Sequence, residues 1–117
     1  MLHDNTQLAL ERAISGASMR HSALASNLAN ANTPGYQRVD VDFHDTLTSA
    51  MGDRERLEHL SFAPRRDLSA GALRADGSTV DVDVESAKLA ANALEHSAAV
   101  TVAGARIHIL QTAMGVR

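Results

Sequence analysis

Both ends of this chain repeat apolar or small residues at alternating steps of four and three. Near the start the steps select Leu10, Ile14, Ala17, His21, Leu24, Leu28 and Ala31; near the end they select Leu89, Ala93, His96, Val100, Ala103, Ile107, Leu110 and Met114. Such a step keeps side chains on one side of a helix, so each end reads as a helix, roughly 40–45 Å long at about 1.5 Å per residue. Two helices that each carry one apolar stripe hide it by closing on one another. Leu10, Ile14, Leu24 and Leu28 then face Leu89, Val100, Ile107 and Leu110, and the alanines between them let the backbones approach. The spacing suits an antiparallel or a parallel pair. With 117 residues the chain forms one domain. The expected fold is mainly α, with long N- and C-terminal helices paired as a coiled-coil-like inner domain, short extended segments and a mobile middle loop.

Charge is unevenly placed. Residues 5–31 carry three charged side chains (Glu11, Arg12 and Arg20), and residues 85–114 carry four (Glu85, Lys88, Glu95 and Arg106). Residues 38–79 carry fourteen. A helix with a free surface normally shows many charges on its outer face. Helices this neutral read as ones whose outer faces become buried against other subunits. The aromatic content, 3%, leaves little bulk for a thick core.

The stretch "SNLANANTPGYQR", residues 26–38, ends the first helix. Proline disfavours the α conformation of the residue before it, so the helix stops by Asn32, with an asparagine positioned to close it. Thr33-Pro34-Gly35-Tyr36 fits a type II turn, Pro34 fixing φ and Gly35 supplying a positive φ at the third position. The motif residues are therefore Asn27, Asn30, Asn32, Thr33, Pro34, Gly35 and Tyr36. Beyond the turn, Val39, Val41 and Phe43 alternate with Arg38, Asp40, Asp42 and His44, as in a half-buried extended segment. Asp45 can cap a short helix presenting Phe43, Leu47 and Met51.

A second extended run echoes the first. After the turn dipeptide Asp76-Gly77, Val80, Val82 and Val84 alternate with Asp81, Asp83 and Glu85, and the acidic residues suit the N-terminus of the helix that follows. The chain thus divides into residues 1–35 (helix and Pro-Gly turn), 36–51 (extended segment and short helix), 52–79 (flexible loop) and 80–117 (extended lead-in and helix). The two end helices share one domain.

The residues offer no catalytic constellation. There is no cysteine, so no thiolate nucleophile and no disulfide framework. No Gly-rich phosphate loop, nucleophile elbow or Ser-His-Asp spacing is present. His96 and His108 lie about 120° apart around a helix and do not converge on one metal. His21 and His96 read as seam residues, and "DVDFHD" (residues 40–45) reads as solvated surface rather than a divalent-ion site. No cofactor or metal is expected. A net charge of −3 gives no nucleic-acid footprint. No run of about 18 apolar residues suggests a membrane span. Residues 1–20 lack the basic start and apolar core of a secretory signal.

"ASNLANANTPGYQ", followed closely by "VDVDF", resembles the N-terminal signature of the bacterial flagellar basal-body rod proteins, in the form of their proximal members. "DGSTVDVDVE" running into a C-terminal helix is similar to the same family, and the longer C-terminal signature of distal rod and hook proteins is absent. The resemblance implies a non-enzymatic structural subunit of the proximal rod, self-assembling into a helical tube that transmits torque and encloses the export channel. It implies as partners copies of the chain itself and other rod proteins, with the MS ring, export gate and ring–rod junction protein at the base. It also implies export to a periplasmic rod without a cleaved signal. The alternative from another class is a small helical adaptor or chaperone-like protein for a secretion partner, which has no need of the Asn-rich helix end and Pro-Gly turn.

Overall fold

A computed structural model describes residues 4–68, 77 and 79–115. It is mainly helical, as expected: α1 (Asn5–Ala29), β1 (Val39–Asp40), α2 (Phe43–Ala50), α3 (Arg54–Glu58), β2 (Arg65–Arg66) and α4 (Val82–Ala113). The body is elongated, 62 × 27 × 15 Å, so little of it lies far from the surface.

Local chemistry sets the helix ends. Asp4 caps α1 by accepting the Gln7 N–H at 2.8 Å, and Asp81 caps α4 by accepting from Asp83 and Val84 at 3.0 and 3.2 Å. A side-chain carboxylate there satisfies amides that the helix itself leaves open. This early cap corrects the extended run expected over 80–84. Val80 is buried, but Val82 and Val84 already belong to α4 and are exposed.

The pair α1–α4 is antiparallel. Asn27 meets Glu85, Ala17 meets Asn92 and Gln7 meets Arg106, so positions fall along one helix as they rise along the other. Among the described elements only α1 lies alongside α4.

The apolar core sits on the other side of α1, in two clusters. One joins Ala17 and Ala23 to Val41 and Phe43, with Val39 and Phe62 against it. The second joins Ala9 to Ala50 and Leu57, with Leu8, Leu47 and Leu60. Phe43 and Phe62 meet edge to face, centroids 6.2 Å apart. Helix α2 begins at Phe43 with Asp42 before it, and Asp45 lies in its first turn rather than capping it. Met51 follows the helix and is exposed, so only Phe43 and Leu47 of the expected trio face inward.

The segment 52–79, expected as one loop, carries structure in its described part. Asp53 caps α3, whose Leu57 is fully buried, and Arg12 of α1 donates to the carbonyls of Leu57 and Glu58, both at 2.9 Å. Strand β2 pairs antiparallel with β1, Val39 opposite Arg66 and Asp40 opposite Arg65. A five-residue helix with one buried leucine is too short to show a period. Residues 69–76 and 78 of that loop, and His3, lie outside the described residues.

Gly16 makes the first cluster possible. A Cβ there would lie 2.8 Å from Phe43 Cβ and 2.9 Å from its ring carbons. Gly16→Ala gains up to about 1 kcal/mol of helix propensity, but the overpacking costs about 1–3 kcal/mol. Urea unfolding should show Gly16→Ala destabilised by about 1 kcal/mol. Gly104→Ala, where a Cβ meets nothing within 4 Å, should be stabilised instead.

Candidate assembly site

The Asn-rich end of α1 is the meeting point of three chain segments. Asn27 is fully buried, and its side-chain amide plays the part of a strand partner for Val39. Its Nδ2 donates to the Val39 carbonyl at 2.6 Å, while its Oδ1 accepts the Val39 N–H at 2.9 Å. The same Oδ1 accepts from the Tyr36 hydroxyl at 3.2 Å, and Nδ2 also donates to Glu85 of α4 at 3.2 Å. One residue thereby uses its donors and acceptor on the turn, the strand and the second helix.

Asn30 closes α1 without a left-handed residue. Its backbone stays at φ −103°, and its Nδ2 donates to the Ser26 carbonyl at 2.8 Å, beside its own N–H on the same oxygen at 3.0 Å. Thr33 then donates to Asn30 Oδ1 at 3.2 Å. Asn32 and Pro34 are exposed. Gly35 has φ +75°, and the Tyr36 N–H donates to the Thr33 carbonyl at 3.2 Å, which is the geometry a type II turn requires. Gly77, also at positive φ, packs onto it, so that a Cβ on Gly77 would lie 3.3 Å from Gly35 Cα. Thr79 N–H donates to the Tyr36 carbonyl and Arg38 N–H to the Thr79 hydroxyl. The two turns noted in the sequence, with the residues just after them, therefore lie against each other.

Arg38, expected on the solvated face of its segment, is 3% exposed. It grips Glu85, itself 1% exposed, with Nε on Oε1 and Nη2 on Oε2, and also reaches Asp67 and Asp40. Arg20 of α1 holds Asp40 in turn through two bonds, the shorter 2.8 Å. Burial alone would lower the Arg38 pKa, but Glu85 and then Asp40 outweigh it and hold the guanidinium above its ordinary value. For Asp40, burial pushes up, yet Arg20, the Val41 N–H and Arg38 together leave the carboxyl below its ordinary value. A buried charge persists where its partners are this complete. The cluster of Asp40, Asp42, His44 and Asp45 does not converge. Asp40 is taken by the two arginines, and His44 pairs with Glu95 at 2.7 Å.

On α1, Leu24 is fully buried and Leu10, Ile14 and Leu28 are partly so. On α4, Leu89 and Leu110 are partly buried, whereas Val100 and Ile107 are 45% and 38% exposed and do not lie in the pair. The inward positions of α4 are instead Glu85, Asn92, Ala99, Ala103 and Arg106. Asn92 donates to the Ala17 carbonyl at 2.8 Å, and Arg106 to Asp4 and Gln7. Counting only apolar residues put alternate seam positions one residue too far round. The signal that finds the true seam is the sevenfold spacing of 85, 92, 99 and 106, three of them polar.

Turned this way, α4 leaves apolar side chains open on two sides. Val100 and Ile107 lie on one; Val102 and Ile109, 48% and 64% exposed, lie on the other.

The sequence model of one family, described as flagella basal body rod protein, matches residues 8–37, which span most of α1 and the Asn-rich turn. Flagellar basal body rod protein FlgB of Salmonella typhimurium is 31% identical over 115 residues, 83% of each chain. The same-named protein of Proteus mirabilis is 32% identical over 124 residues, 89% of each. That of Cereibacter sphaeroides is 32% identical over 109 residues, 81% of this chain and 82% of the relative.

The lowered pKa of Asp40 makes part of the stability pH-dependent. That part is fully present above the ordinary aspartate value of 3.8 and is lost as pH falls through the folded value. Asp40→Asn should therefore be less stable than the parent at pH 7, with the gap closing in urea titrations as pH drops below 3.8. A gap that stays constant down to pH 2.5, about the acid limit of such titrations, would show that Asp40 is not ionically engaged.

Proposed function

This chain belongs to the flagellar basal body rod protein family, and from that premise we propose how its geometry serves the rod. It is a structural subunit of the flagellar basal-body rod and not an enzyme, and it assembles with other rod and basal-body components. In our reading, copies pack through the faces of the α1–α4 pair into a helical tube at the proximal end of the rod. The tube encloses the export channel and transmits torque. Its neighbours are further copies and other rod proteins, and at the base the MS ring, export gate and ring–rod junction protein. The rod lies in the periplasm, reached without a cleaved signal.

The observation that carries this reading is the state of α4. Ala103 is its one buried apolar residue among those described, while Val100, Val102, Ile107 and Ile109 stand open on two sides. Exposed apolar patches of this extent mark surfaces that other molecules cover. From residue 96 to 115 the only Asp, Glu, Lys or Arg is Arg106, and it is engaged within the chain. Charges there would resist burial in an assembly. The Asn-rich turn fixes the direction in which the rest of the subunit leaves the helix pair. The adaptor reading gains no support from the relatives, and a generic adaptor has no use for a turn so constrained.

Because Val100 is exposed in the free chain, Val100→Asp should leave the urea midpoint of the purified protein nearly unchanged. In cells the same variant should yield no completed rods and no motility, because the altered face recurs in every copy. Rods of normal composition built from Val100→Asp would contradict burial of this face. Intact basal bodies lacking the chain altogether would sink the rod assignment.

A further inference from the structure

We propose that two surfaces of this chain are complementary halves of one contact: the outer stripe of α4 in one copy seats in the cleft between α1 and α4 of a second. This rests on the rod reading, and names the partner surface within it. The stripe is Ala98, Val102, Ala105 and Ile109, spaced four, three and four, all exposed. It is an apolar seam with no partner helix among the described residues, in the pattern that fills a neighbouring groove. The cleft consists of two hollows of about 520 and 300 Å³ that share Ser18 and His96. Its lining includes Ile14, Ser18, Met19 and Ser22 of α1 with Ala93 and His96 of α4.

Three features match the two halves. Neither the cleft nor the stripe presents an Asp, Glu, Lys or Arg, so joining them strands no charge. Half of the cleft's lining is small (Ser15, Ser18, Ser22, Ala93 and Ser97), which lets a further helix approach closely beside His21, Asn92 and His96. The two also lie on opposite sides of α4: Ala93 at the cleft and Val102 on the stripe are nine residues, about 180°, apart around the helix. A contact between unlike surfaces on opposite sides repeats from copy to copy and does not close into a dimer.

Size points the same way. From Ala98 to Ile109 the stripe is about 17 Å long, and a helix about 10 Å across covers on the order of 200–300 Å² per partner. A stable pair usually needs about 800 Å² per partner. One such contact does not hold a dimer in dilute solution, but a copy inside an array makes it twice, once with each surface.

The chain has no cysteine, so engineered thiols report the contact cleanly. The experiment uses the full chain carrying Ser18→Cys, Ile109→Cys or both, each checked for an unchanged urea midpoint, with a short bis-maleimide added to concentrated protein and to isolated rods. In the antiparallel pair Ser18 lies close to Asn92, and Ile109 is some 17 residues further along α4, about 25 Å away and too far for a short cross-link within one copy. The double variant should give a ladder of dimers, trimers and larger species. A mixture of the two single variants should stop at a heterodimer, severalfold more abundant than homodimers of either alone. Cross-linking of Ser18→Cys to itself, at the level of the mixture, would show a face-to-face contact and overturn the proposal. So would rods that contain the double variant but yield no ladder, or a ladder in which the partner is another rod protein. Each of those outcomes leaves the rod reading standing, whereas absence of the chain from rods would remove that reading itself.

Discussion

The buried pair of Arg38 and Glu85, with Asn27 against it, is the contact on which the rest of the structure depends. Arg38 follows the turn, Glu85 lies in the first turn of the C-terminal helix and Asn27 in the last turn of the N-terminal one, so a single charge-assisted cluster fastens the two helices to the segment between them. Taking two charges out of water is costly, and the cost is met only where geometry and further hydrogen bonds are complete. Here they are. The carboxylate accepts a two-pronged guanidinium and an amide, and the guanidinium also reaches Asp67 and Asp40. A cluster this specific fixes which residue of α1 faces which residue of α4, something that a seam rich in alanine does poorly.

The remainder of the helix pair is held by contacts of the same kind. Asn92 bonds the Ala17 carbonyl and Arg106 bonds Asp4, whose carboxyl is held below its ordinary value first by the Gln7 N–H and also by Arg106. Polar contacts along an interface set register and partner more than they add stability. The apolar side chains of α4 are thereby left over for other molecules. This division explains how a subunit can have a defined shape and still present a large apolar surface. Its inner contacts are largely polar, with Asn92 Oδ1 the one buried side-chain atom among the described residues that lacks a partner, and its outer ones are apolar and open.

Much of this was legible in the residues. The 4-3 spacing gave the two helices, and Thr33-Pro34-Gly35-Tyr36 gave the turn, because both follow from local rules that neighbours do not override. Leu24 fell inside as its position implied. The misplacements at the helix pair share one reason: a polar residue was taken as a solvent residue. Arg38 stood on the polar side of an alternating run, yet α4 covers that side and supplies Glu85. Val100 and Ile107 were placed in the seam because they are apolar, while the true positions were taken by Asn92 and Arg106, whose partners lie some 75 and 99 residues away. Long-range hydrogen bonds leave no period in a sequence. Gly16 was silent for the same reason, since its meaning is the ring of Phe43 that rests on it.

The most direct test of this account is a double-mutant cycle on Arg38 and Glu85, measured by urea unfolding of the purified chain with Arg38→Met, Glu85→Leu and the pair together. Each single change leaves a buried charge without its partner and should cost about 3–5 kcal/mol. The double variant should cost less than the sum of the two by about 2 kcal/mol or more. Should a single variant be unfolded outright, recovery of folding on adding the second change reads the same coupling. Strict additivity, with the double variant as impaired as the two losses combined, would contradict the central place given to this pair.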